Sequence, residues 1–149
     1  MTFKNEAQLK SFIIGKCAAA VSNAERKVYE ELAGNLNQFY AEFKPKEYIR
    51  TGALFNALDS TGVIKIKNGV MAEVYFDTPS YQHGWVPLQS GGQGYSYWDD
   101  EYILKVAMEM GSHGGYEDGT AIWTESMNKL GGKAGIKNLL IQELRKQGL

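Results

Sequence analysis

The chain has 149 residues and a mass of 16.6 kDa, a length that suits one domain and removes roughly 68–70% of the unfolded surface from water. Its 16 Lys and Arg against 17 Asp and Glu leave a formal charge of −1, so no bulk charge excess draws nucleic acid or anionic lipid. With 44% hydrophobic and 22% charged residues, the composition excludes a disordered chain.

The lone Cys17 has no internal disulfide partner, and the start MTFKNEAQLK lacks the basic-then-apolar run of a secretory signal. Synthesis in the cytosol is expected. No stretch reaches the roughly 18 consecutive apolar residues that a bilayer span needs, so no integral membrane segment is expected.

In chain order, Leu9, Ile13, Cys17, Val21, Ala24, Val28, Leu32, Leu36 and Phe39 step by three or four, which predicts one helical face from about Asn5 to Phe43. Asn5 with Gln8 fits a capping-box-like start, and Pro45 marks the stop. Ser22 with Glu25 offers a second start, and Gly34 weakens the middle by about 1 kcal/mol relative to Ala. An unbroken helix would extend on the order of 55–60 Å, longer than a domain of this size is wide, so part of its stripe is expected to meet another subunit.

Leu54, Ala57 and Leu58 suit one or two helical turns, with Thr51 as the cap. Val63-Ile64-Lys65-Ile66-Lys67, then Asn68-Gly69, then Val70 to Phe76 predicts a hairpin closed by a type I′ turn at Asn68-Gly69. Residues 77–98, with Pro79, Pro87 and Gln89-Ser90-Gly91-Gly92-Gln93-Gly94, read as an irregular loop. A helix from Asp99 to Met110 should turn Tyr102, Ile103, Val106 and Met110 inward. Thr120 is the expected cap of a short helix with Trp123, Met127 and Leu130 on one face. A last helix, about Ala134 to Gln147, should bury Ile136, Leu139, Leu140 and Leu144.

Charge is segregated along this order. Residues 71–125 hold Lys105 against nine acids, net −8, together with all three Trp and ten of the eighteen aromatics. The ends are basic by comparison and look like scaffold. Within the middle, Tyr81, Trp85, Tyr95, Tyr97 and Trp98 stand among glycines, where a protein-protein contact is the favoured reading. The bland alternative is that these rings cover the hairpin's apolar face.

Chemistry finds little support. Cys17 sits on the helical stripe as a small hydrophobe, and Ser112-His113 adjacency is not triad geometry. His83 and His113 with Asp77, Asp99, Asp100, Glu117 or Asp118 lack the spacing of a metal motif. Gly91-Gly92-Gln93-Gly94 lacks the Lys of a phosphate loop. No catalytic residue, metal or cofactor is expected. Trp85, Tyr97 and Trp98 beside Asp99 and Asp100 keep open an alternative, a carbohydrate or cell-wall binding module with possible hydrolytic activity.

Phe39-Tyr40-Ala41-Glu42-Phe43-Lys44-Pro45 followed by Tyr48-Ile49-Arg50-Thr51-Gly52-Ala53-Leu54 resembles the tail-completion, or head-tail connector, proteins of long-tailed bacteriophages and prophages. There a long amino-terminal helix leads through an aromatic-rich end into Tyr-x-Arg-Thr-Gly-x-Leu and then antiparallel strands. The similarity is most specific over residues 36–76, and weaker at Gly111-Ser112-His113-Gly114 and the last helix. The segment at about 77–130 departs from the shorter members as an insertion.

The resemblance implies a single tail-completion-like domain over 1–149 of α+β class: long amino-terminal and carboxy-terminal helices packed on a small antiparallel sheet. It implies a virion structural protein, not an enzyme, made in the host bacterial cytoplasm. Copies would form a homo-oligomeric ring in the neck, between a connector or adaptor protein on the head side and a tail terminator or tail tube protein on the tail side. Double-stranded DNA would pass without sequence readout. In that setting Tyr48, Arg50, Thr51, Gly52 and Leu54 are structural, Arg50 through the fixed fork of its guanidinium.

Overall fold

A computed structural model of the chain describes residues 2–42, 48–49, 52–77, 86–87, 100–111 and 119–149. Helix α1 runs unbroken from Glu6 to Glu42, 37 residues, or about 55 Å at 1.5 Å per residue. Asn5 Oδ1 accepts the Gln8 N–H at 2.9 Å, and Gln8 Oε1 accepts the Lys4 N–H at 3.0 Å. That pair works as a capping box displaced by one residue on its return arm. Phe3 folds back on Phe12 with ring centroids 5.1 Å apart. The possible start at Ser22 is not used, and Gly34 lies inside the helix without interrupting it.

The described strands form three antiparallel pairs. β1 (Tyr48–Ile49) pairs with β6 (Val86–Pro87), so the segment expected as irregular loop contributes a short strand. β2 (Leu58–Ser60) pairs with β5 (Val74–Phe76), and β3 (Ile64–Ile66) with β4 (Gly69–Met71). The last two pairs are the base and tip of one hairpin. Lys67 and Asn68 make its turn, and among the described residues only glycines have positive φ, Gly69 not among them. The hairpin stands as expected, but the I′ turn at Asn68-Gly69 does not: Gly69 already pairs with Ile66.

Between base and tip the register slips by one residue. Ser60 faces Val74, and the Thr61 N–H donates to the Glu73 carbonyl, yet the next pair is Ile64 with Met71. Gly62 and Val63 therefore stand opposite Ala72 alone, with Gly62 at φ +62°. Two residues against one, with a left-handed glycine, make a β-bulge. Strand side chains alternate between faces, and below the bulge Leu58, Val74 and Phe76 pack on the core. Asp59, Thr61, Glu73 and Tyr75 consequently line the outer face. Above the bulge the parity of the first strand reverses, bringing Ile64 and Ile66 to that same outer face opposite Met71 and Gly69.

The remaining helices are α2 (Ala53–Ala57), α3 (Asp100–Met110), α4 (Ile122–Leu130) and α5 (Gly132–Lys146). α1 packs against α5, α4 and the hairpin, and α3 against α4. The core gathers at the carboxy-terminal half of α1: Leu32, Leu36 and Phe39 meet Leu54, Ala57, Leu58, Leu104, Ala107, Met108 and Ile122. The architecture is α+β, long amino-terminal and carboxy-terminal helices on a small antiparallel sheet.

Several expected details differ. The N-cap of α2 is Gly52 at φ +75°, with no side-chain cap hydrogen bond, and Thr51, the expected cap, lies outside the described residues. In α3 Met110 is exposed and Val106 half-buried while Leu104, Ala107 and Met108 are buried, and the Tyr102 and Ile103 side chains lie outside the described residues. In α4, Ile122 and Ser126 point inward and Trp123 outward. In α5, Ile136, Leu139, Leu140 and Leu144 are half-buried, and the residue fully covered is Glu143. Cys17 is likewise half-buried.

Candidate functional site

The sequence motif enters the structure in pieces. Tyr48 pairs with Pro87, Gly52 takes the left-handed conformation before α2, and Leu54 is buried in the core. Arg50 and Thr51 lie outside the described residues. So do Tyr81, Trp85, Tyr95, Tyr97 and Trp98, the proposed aromatic interface. His83, His113 and Asp99, on which the metal and glycan alternatives rest, also fall outside them. Among the described residues no group of three His, Cys, Asp or Glu side chains could hold a metal ion, and no helix is long and apolar enough to cross a membrane.

Three polar junctions fix the helices around α1. The first is Glu143, 2% exposed. Its Oε1 accepts from Lys146 Nζ at 2.7 Å and Lys27 Nζ at 2.8 Å, and its Oε2 from Asn23 Nδ2 at 3.3 Å. The hydrogen bonds from Lys146 and then Lys27 hold the carboxyl down at about 2, against the opposing pull of burial. In the second, Asn35 Nδ2 donates to Ser126 Oγ at 2.7 Å, Ser126 donates on to the Ile122 carbonyl, and Lys129 Nζ donates to Asn35 Oδ1 at 2.6 Å.

The third junction replaces the expected Thr120 cap. The Thr120 N–H donates to Glu42 Oε2 at 2.7 Å and its hydroxyl to Oε1, while the N-cap itself is Ala121, whose N–H goes to Glu125 Oε1. A carboxylate from α1 thus sits at the start of α4, where the helix dipole favours it. Asn35, Ser126 and Glu143 look ordinary in sequence. Only the packing of α4 and α5 on α1 shows that they are interior.

A groove of about 430 Å³ opens between Lys27, Glu30, Glu31, Lys129, Leu130 and Leu139. Both of its cations are already engaged, Lys27 with Glu143 and Lys129 with Glu31 at 3.3 Å. Its carboxylates are paired too, Glu30 with Arg26 at 3.2 Å and Glu31 with Lys129.

Among the described residues, two other surfaces are left bare. One is the start of α1. Lys16 Nζ donates to the Gln147 carbonyl and stands 5.1 Å over the Phe12 ring, while Asn23 and Lys27 meet Glu143. α5 therefore runs antiparallel to α1 and ends level with Lys16. The first ten residues of α1 pass beyond it, with Leu9 41% and Ile13 38% exposed.

The other is the outer face of the hairpin, where Ile64 and Ile66 are 42% and 50% exposed. At its base Tyr75 is exposed too, its hydroxyl near Asp59 Oδ2 at 3.4 Å. The negative charge of Asp59, with those of Asp77 and Glu73 beyond it, raises the Tyr75 phenol above its ordinary value. The alternation of Ile64 to Lys67 announced an apolar face, and the Gly62 bulge decided which way it points. Comparison with known protein families, curated proteins and solved structures finds no match for this chain.

Proposed function

We propose that this chain is a virion structural protein that forms a homo-oligomeric ring in the neck of a long-tailed bacteriophage, joining head to tail and letting DNA pass. Non-covalent assembly, not turnover, is the mechanism. The observation that carries the proposal is that the molecule bears two different exposed apolar surfaces on separate elements, Leu9 with Ile13 on α1 and Ile64 with Ile66 on the hairpin. A closed ring needs heterologous contacts, each subunit presenting two unlike patches to its neighbours. A monomer gains nothing from leaving both to water.

The resemblance over residues 36–76 supplies the setting. A connector or adaptor protein would lie on the head side and a tail terminator or tube protein on the tail side. Native mass spectrometry and electron microscopy of purified virion necks test this: a ring containing several copies of this chain is expected, and necks without any such multimer overturn it. A reading frame located between capsid and major-tail genes is the expected genomic context.

A further inference from the structure

We infer that the bare start of α1 from one copy docks on the outer face of the hairpin of the next, so that the two exposed surfaces are the two halves of a single heterologous contact. This rests on the ring assembly proposed above and names its interface. The apolar parts match: Leu9 and Ile13, one helical turn apart on one side of α1, meet Ile64, Ile66 and Met71 on the outer side of the hairpin tip.

The charges match as well. Residues 2–24 carry Lys4, Lys10 and Lys16 against Glu6 alone. The outer base of the hairpin carries Asp59 and Glu73 flanking Tyr75, with Asp77 next along the strand. Lys65 alternates to the opposite side of its strand, away from this surface. Basic side chains around an apolar ridge thus meet acidic side chains around an apolar strip, which fixes orientation and disfavours pairing of two like surfaces. Both elements are held firmly. α1 is anchored by the core at Leu32 to Phe39, and the hairpin base by Leu58, Val74 and Phe76, so little ordering cost is left for association.

The test uses two variants of the full chain, Leu9→Asp with Ile13→Asp to break the helix side, and Ile64→Asp with Ile66→Asp to break the hairpin side. Light scattering after size exclusion and native mass spectrometry give the masses, and circular dichroism with thermal melting shows that each remains folded. If either unfolds, Ile13→Ser and Ile66→Ser replace the charged versions. The unaltered chain should be a multimer and each variant alone a monomer. Mixed one to one, they should form a heterodimer and stop, because each keeps the one surface the other lacks.

An unaltered multimer with variants of undiminished mass overturns the docking and leaves the ring standing. Two monomeric variants that fail to pair also overturn it. A monomeric unaltered chain at all concentrations overturns the ring and the docking together.

Discussion

The two halves of α1 are built from the same kind of stripe and end in opposite situations. From Leu32 to Phe39 the apolar positions are buried against α2, α3, α4 and the hairpin base, while Leu9 and Ile13 at the other end remain in water. Between them Ala20 and Ala24 are buried by close approach, and polar residues of the same stretch clamp α5. Helical periodicity thus says that a face is apolar. What covers it depends on how far the neighbouring elements reach.

Substitutions along α1 should expose this gradient. Leu36→Ala, at a position with no exposed surface, is expected to cost about 2–5 kcal/mol in urea unfolding through lost burial and a residual cavity. A cost below about 1 kcal/mol would mean that the carboxy-terminal half is no better packed than the other. Ser126→Ala should cost about 1–3 kcal/mol, since it removes the acceptor for the buried Asn35 amide. The double variant Asn35→Ala/Ser126→Ala should cost less than the sum of the single changes if the two act as one junction.

Midway along the helix, Glu143 ties α5 to Lys27 and Asn23. Its carboxyl titrates near 4.5 in the ordinary state and at about 2 in the fold. The charged form is therefore favoured on folding: its stabilisation is complete above pH 4.5 and disappears as pH falls toward 2. Thermal melting across that window should show a falling midpoint that flattens in Glu143→Gln, and an unchanged slope would assign the acid sensitivity elsewhere. At the bare end, Ile13→Ala should move the stability of the monomer by less than about 0.5 kcal/mol, as should Arg26→Ala, which removes an exposed pair with Glu30 at 3.2 Å. A larger loss at Ile13 would show that the amino-terminal half is covered within one copy.

Sequence patterns captured what local rules control. The span of α1, the Asn5 and Gln8 cap, the hairpin and the order of the later helices all follow from periodicity and punctuation. The failures have tertiary causes. Thr120 was expected to cap α4 by itself, but a carboxylate 78 residues away in sequence reaches its N–H and hydroxyl. Four apolar residues of α5 were expected inside, but α5 lies along the helix as a single layer and is covered on one side only. Its buried position falls to Glu143, where two lysines and an asparagine satisfy a charge that sequence alone assigns to solvent. The bare surfaces were half legible: the overlong helix signalled one, while the bulge that turns Ile64 outward has no signature beyond a glycine between two strands.

That glycine carries the one residue by which the first strand outruns its partner. Deleting it would leave Val63 alone opposite Ala72 and Ile64 still opposite Met71, making the ladder regular while Ile64 and Ile66 stay on the outer face. The gregarious strip would thus survive a three-base deletion that removes the bulge.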